Sequence, residues 1–209
     1  MPKKKRSTEE KIVQAAWKLF YKKGYEATTV DEIIAASATS KGTFYHYFRS
    51  KDALLNTLSV VFDDAYREIA AEIDPALSAR EKLLYANRKL MGLIEAQIDL
   101  PLLASLYSTQ LVTEERRSLL DSRRYYFSWV QETISAGLKS GEFSSDFALY
   151  ELVHLFTMFE RSLIYDWILY GGTYSLADYN AHLLPMLLER FANGKGKTIP
   201  EAPLSGQPA

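Results

Sequence analysis

Cysteine is absent from the chain. Disulfides, thiolate zinc sites and cysteine nucleophiles are therefore excluded, which fits a reducing compartment. Long apolar runs are missing too. The most hydrophobic stretches carry Glu160, Arg161 or Asp166 and fall short of the roughly 20 apolar residues a membrane span needs. The basic start, Lys3-Lys4-Lys5-Arg6, is followed by Thr8-Glu9-Glu10-Lys11 where a signal peptide would place its apolar core. A cytoplasmic protein without a membrane partner is expected. Strict strand alternation is lacking, as are internal repeats. The three histidines, at 46, 154 and 182, have no metal-ligand spacing, so no metal and no cofactor is expected.

What is present is charge asymmetry. The net charge is -1, yet residues 1–51 hold 11 Lys/Arg against 5 Asp/Glu, while the remainder holds 14 against 21. A basic arm and domain suited to phosphates sit at one end, with an acidic body at the other. The same basic cluster could equally be a solvated tail.

Breakers punctuate helical patterns along the whole chain of 209 residues. Ile12, Ala16, Leu19 and Phe20 form one stripe of a first helix, from about Thr8 to Lys23, closed by Gly24. Thr29-Val30-Asp31-Glu32 has the form of a capping box and opens a short helix through Ala36. A turn, Ser37-Ala38-Thr39, leads to a second short helix, capped by Ser40 and ending near Tyr47. Ser50 caps a longer helix, from Lys51 to Ile73. Further helices are expected from the box Ser78–Glu81 to Ile98, from Pro101 to Leu111, from Glu114 (capped by Thr113) to Ser140, from Phe147 to Tyr170, and from the box Ser175–Asp178 to Asn193. Residues 194–209 are rich in Gly, Pro and Ser and read as a disordered tail. The fold class is all-α, with about nine helices. A three-helix helix-turn-helix domain spans 1–50, and a larger helical domain spans 51–193.

Two short helices around a three-residue turn, behind a packing helix, make the arrangement of a DNA-reading helix-turn-helix. The strings Gly24-Tyr25-Glu26-Ala27-Thr28-Thr29-Val30-Asp31-Glu32-Ile33-Ile34 and Ser40-Lys41-Gly42-Thr43-Phe44-Tyr45-His46-Tyr47-Phe48-Arg49-Ser50-Lys51 closely resemble the signature of the tetracycline-repressor (TetR) family. The resemblance is sharp over residues 8–56; beyond them only helix number and length match. It implies DNA contacts from Thr28, Thr29, Ser40, Lys41, Gly42, Thr43, Tyr45, His46 and Tyr47, and a phosphate contact from Lys51.

Physical chemistry supports these roles. Lys41 suits guanine O6/N7 or a phosphate, Gly42 allows close backbone approach, and Thr43 can meet a phosphate or a thymine methyl. Thr28 and Thr29 stand at a helix start, where amides hold phosphate. Phe44 and Phe48, four apart, face the small core instead. Tyr47 could share that core, and His46 is raised above an ordinary surface histidine only by its place on this helix. Ala38 replaces a glycine of the family pattern that often adopts a left-handed conformation, at a cost of roughly 1–2 kcal/mol. Either the turn is reshaped or the strain is kept.

The resemblance further implies a body that encloses a small-molecule pocket and dimerises through its last two helices. The matching segments, 147–170 and 176–193, are apolar on more than one face. Candidate ligand-binding residues are Tyr107, Gln110, Tyr126, Trp129, Phe156, Phe159, Glu160 and Trp167, since tyrosine and tryptophan combine large faces with a polar handle. Aromatics at helical spacing serve equally well as core. Asp99, Arg123, His154 and Arg161 are the other polar residues of note. Glu160 and Arg161 interrupt an apolar helix and either line a ligand site or form an ion pair at a subunit interface.

Read together, these features predict a homodimeric repressor of a palindromic double-stranded DNA operator, released by a small hydrophobic or aromatic effector. A DNA-binding architectural protein without effector is the alternative. An all-helical enzyme is remote, because no nucleophile with its base, catalytic carboxylate pair or phosphate loop stands out, and none is expected.

Overall fold

A computed structural model describes residues 7–112, 117–144 and 146–192 of the chain. The proposed tail at 194–209, and the proposed cap Thr113 with Glu114, lie outside the described residues. The N-terminal part contains α1 (Thr8–Lys23), α2 (Val30–Ser37) and α3 (Lys41–Tyr47). The body contains α4 (Lys51–Leu55), α5 (Leu58–Glu72), α6 (Ala79–Gln97), α7 (Leu100–Val112), a 3-10 turn (Ser118–Leu120), α8 (Tyr125–Ser140), α9 (Leu149–Leu169) and α10 (Leu176–Ala192). Among the described residues all regular structure is helical, and with α4 and α5 taken as one bent rod the α-helices number nine.

Local chemistry sets most boundaries. Ser7 and Glu10, Thr29 and Glu32, and Ser78 and Glu81 form reciprocal capping boxes at the starts of α1, α2 and α6. Ser40 and Ser50 accept from Thr43 N and Ala53 N at the starts of α3 and α4. Gly24 and Gly141, both at positive φ, close α1 and α8.

Two expected helices are corrected. The predicted helix from Lys51 to Ile73 breaks at Asn56-Thr57. There Thr57 Oγ1 donates to Leu54 O at 2.6 Å and Ser59 Oγ to Asn56 O at 2.6 Å, so local hydroxyls take carbonyls that a continuous helix would use. Trp17 Nε1 donates to Thr57 Oγ1 at 2.9 Å and fixes the break against α1. The predicted helix reaching Ser140 starts only at Tyr125, because Asp121 accepts Arg123 N at 3.0 Å and turns the chain, and Arg124 N bonds back to Asp121 O at 3.1 Å. Arg124 lacks a capping side chain of its own, and Asp63 of α5 accepts the α8 amide of Tyr126 instead.

One continuous core runs from Ile12 to Phe191. Leu54, Leu55 and Leu58, at most 1% exposed, join the small N-terminal unit to the body at the α4–α5 break. In the body α6 packs most extensively on α10, and α8 on α9.

The turn between α2 and α3 keeps its strain: Ala38 sits at φ 52°, ψ 43°. Ala38→Gly is expected to raise stability by about 0.5–1 kcal/mol, since relief of left-handed strain exceeds the added chain entropy. Urea unfolding would measure it, and an unchanged or lower midpoint would show that the left-handed alanine costs nothing here.

Candidate nucleic-acid interface and effector pocket

Ser40 fixes the start of α3 twice, accepting from Thr43 N at 3.1 Å and pairing with Thr43 Oγ1 at 2.8 Å. Phe44 (0% exposed) and Phe48 (6%) anchor one side of this helix in the core. The opposite side presents Ser40, Lys41, Gly42, Tyr45, His46 and Tyr47 to solvent, with Thr43 half-buried at its edge. Tyr45 and Tyr47 are 46% and 42% exposed, so Tyr47 does not share the core. Lys41 Nζ lies 3.8 Å from Asp31, an exposed pair that holds the ammonium only loosely.

Thr29 is exposed and caps α2 with its hydroxyl. Its partner Glu32 is held down to about 2 by the Lys23 ammonium, helped by Thr29. Thr28 differs from expectation. It is buried, and its hydroxyl donates to Gly24 O at 2.8 Å, so its side chain serves the α1–α2 turn rather than the surface. Lys51 is half-buried, with Nζ donating to Tyr25 O at 2.9 Å and lying 4.1 Å from the Tyr25 ring centroid. In this arrangement Lys51 clamps the turn before α2, beside the Tyr25–Asp52 hydrogen bond.

In the body, α5, α6, α7, the 3-10 turn, α8 and α9 surround a cavity of about 40 Å³. Phe62, Leu90, Met91, Ile94, Leu119 and Ile164 form its apolar walls, and Tyr66, Tyr107, Arg124, Tyr126, Glu160 and Arg161 its polar end. A wider cleft of about 370 Å³ adjoins it, sharing Tyr107, Leu119 and Arg161 and adding Gln110, Arg117, Met158 and Tyr165.

Of the eight expected ligand residues, Tyr107, Tyr126 and Glu160 line the cavity and Gln110 the cleft. The other four do not. Phe156 is 1% exposed and packs in the core. Phe159 packs partly buried against that core. Trp167 spends its Nε1 on Tyr174 O at 2.8 Å. Trp129 lines an outer groove with Ala70 and Pro75. Asp99, Arg123 and His154 are exposed, away from both spaces. For these aromatics core packing accounts for the helical spacing.

Glu160 is the centre of the polar end. Asn87 Nδ2 donates to Oε1 at 2.7 Å, Tyr66 donates at 3.4 Å, and Tyr126 donates to Oε2. Burial pushes the Glu160 carboxyl above the usual carboxylate range, opposed in part by these donors. Burial, followed by the charge of Glu160, raises the Tyr66 and Tyr126 hydroxyls. Beside this cluster Arg124 pairs with Asp63 through Nε at 3.1 Å and Nη2 at 2.9 Å. Tyr66, Asn87, Asp63 and Arg124 were not among the expected site residues. The available signal is a polar residue on an apolar stripe: Asn87 lies on the face of Leu83, Leu90, Met91 and Ile94, and Asp63 on that of Phe62, Tyr66 and Ile69.

Gln110 ties the cleft to the α4–α5 break. Its Nε2 donates to Asn56 Oδ1 at 3.0 Å, and its Oε1 accepts from Leu119 N at 3.2 Å. Ser118 Oγ donates to the same Asn56 oxygen at 2.9 Å.

An exposed α3 face on a helix-turn-helix is thus joined to a hollow helical body. Residues 12–58, which contain α2, the turn and α3, match the family model described as bacterial regulatory proteins, tetR family. Over these residues the chain carries a tetR-family domain. It is similar to HbdR, an HTH-type transcriptional regulator of Aromatoleum sp. (strain CIB), at 29% identity over 198 residues, covering 94% of this chain and 86% of HbdR. In fold it is similar to the tetR-family repressor FadR of Thermus thermophilus, solved in complex with lauroyl-CoA (TM-score 0.72, 24% identity, covering 95% of this chain and 100% of that one). It is also similar to FadR of Bacillus subtilis, solved in complex with stearoyl-CoA (TM-score 0.63, 20% identity, covering 90% and 99%). The chain is a transcriptional regulator, and the matched residues contain the α2–α3 pair. Among the described residues no single helix is long and apolar enough to cross a membrane.

Proposed function

We propose that the chain is a homodimeric, cytoplasmic repressor of a palindromic operator, released by a small hydrophobic or aromatic effector. Residues 1–50 read DNA and 51–193 sense the effector and dimerise. The observation that carries this reading is the two-sided α3, with Phe44 and Phe48 buried and Lys41, Tyr45, His46 and Tyr47 exposed along one surface. Two such helices related by a two-fold axis would enter successive major grooves about 34–36 Å apart. The cavity in the body supports a sensor over a purely architectural protein. Its polar centre supports sensing over catalysis, because the Glu160 carboxylate is occupied by three donors rather than held free as a base. Fatty acyl thioesters are the first effector class to test, from the two acyl-CoA complexes of similar fold. Occupation of the cleft would move Leu119 and Gln110, and through Asn56 the end of α4, a helix whose first residue, Lys51, lies beside the DNA-reading unit. An effector acts to the extent that it binds the two arrangements differently.

Fluorescence anisotropy with the gene's own upstream DNA tests the reading across a salt series. Two protomers per site are expected, with affinity falling steeply as salt rises. Lys41→Ala and Tyr45→Ala should each weaken operator binding about ten- to a hundred-fold, as loss of one base or phosphate contact does. Binding of equal strength to random DNA, unchanged in both variants, would remove α3 as the reading helix.

A further inference from the structure

Arg161 stands at the neck between the cavity and the cleft and lines both. Its Nη1 is buried without a hydrogen-bond partner. The adjacent Glu160 acts on it through charge but gives it no hydrogen bond, since the Glu160 oxygens are taken by Asn87, Tyr66 and Tyr126. The other buried carboxylate of this region, Asp63, is held by Arg124. Tyr107, on the same neck, makes no hydrogen bond through its hydroxyl among the described residues, and burial raises that hydroxyl so that it stays a neutral donor. Two donors thus converge where an apolar chamber opens to a wider cleft, and neither has an acceptor. A buried guanidinium nitrogen without an acceptor is costly, and an oxygen from outside the chain would satisfy it.

We propose that Arg161 and Tyr107 form a receptor for an oxygen acceptor on an amphipathic acyl or aryl ligand, the carboxylate of a free acid or the carbonyl of its thioester. The ligand's apolar part enters among Phe62, Met91 and Ile94 and the rest lies in the cleft. Arginine suits this oxygen because its planar fork keeps its charge at any working pH. The inference rests on the effector-sensing reading of the body but not on any particular operator.

The test is calorimetric binding of decanoate, decanoyl-CoA and decanol to the full-length protein and to Arg161→Gln, Arg161→Lys and Tyr107→Phe. At least one of the two acyl probes is expected to bind about ten- to a hundred-fold more tightly than decanol, the advantage of a charge-assisted hydrogen bond. Arg161→Gln should remove most of that advantage, Tyr107→Phe part of it, and Arg161→Lys should retain some. Preference for decanoate assigns the free acid, and preference for decanoyl-CoA the thioester. Equal binding of decanol, or an acyl affinity unchanged in Arg161→Gln, would overturn the proposal, as would no binding of any probe. Dissociation of a wild-type dimer into monomers in Arg161→Gln would also overturn it, by showing that the guanidinium pairs across a subunit interface. Operator binding of the wild-type protein is read in parallel. Wild type without operator binding would instead count against the regulator reading itself.

Discussion

Phe44→Ala is expected to cost about 3–5 kcal/mol and to abolish operator binding, the range for emptying a buried phenylalanine site. Phe44 is fully buried and meets Phe48 at 6.0 Å and Tyr45 at 5.3 Å between ring centroids. The helix it holds, α3, has seven residues, too few to be stable alone, so its orientation depends on this anchor. Urea unfolding and operator anisotropy should fall together. Tyr45→Ala, one residue on and exposed, should leave the unfolding midpoint within about 0.5 kcal/mol of wild type while losing operator affinity. That separation of packing from reading is the content of a two-sided recognition helix. A Phe44→Ala protein that keeps wild-type stability and operator affinity would show that α3 is positioned by something other than this core.

Much of this was legible in the sequence wherever the determining interactions are local. The box Thr29–Glu32, the caps Ser40 and Ser50, the box Ser78–Glu81 and the closing glycines Gly24 and Gly141 act within a few residues, and the structure has them all. Ala38 keeps the left-handed backbone, and the strain stays in the turn. The missed features depend on distant partners. The break at Asn56-Thr57 is fixed by Trp17, and the late start of α8 is capped by Asp63, 63 residues from Tyr126. Aromatic content could not separate pocket from core, because Phe156 and Trp167 follow the same helical period as Tyr126 and Glu160. What distinguishes the pocket is polar residues on apolar stripes, and Asn87 and Asp63 were there to be read. The inward turn of Thr28 was not legible for a related reason: a hydroxyl at a helix start can turn inward to a carbonyl four residues back as readily as outward to a phosphate.

Asp63→Ala is expected to destabilise the body by about 3 kcal/mol, the lower end for breaking a buried ion pair from one side, since each side chain of the pair keeps 10% exposure. The loss is threefold. Arg124 keeps its bond to Ser59 O at 3.2 Å but has no anion, the Tyr126 amide loses its acceptor, and the first turn of α8 loses the charge that favours its positive end. Asp63→Asn should recover part of this, because an amide oxygen still accepts but carries no charge. Asp63→Ala combined with Arg124→Met should be less damaging than the sum of the two single changes, because no uncompensated charge then remains in the wall. Chemical unfolding of the four proteins completes the cycle, and additivity within about 0.5 kcal/mol would mean that the two groups do not act as a pair. Because Arg124 lines the cavity and Asp63 belongs to the helix that continues from α4, the pair joins the effector chamber to the element leading to the DNA-reading unit. If it sets the resting arrangement, Asp63→Asn should alter the effector concentration needed for operator release while leaving Tyr45-dependent reading intact. An unchanged release curve would confine the pair to stability.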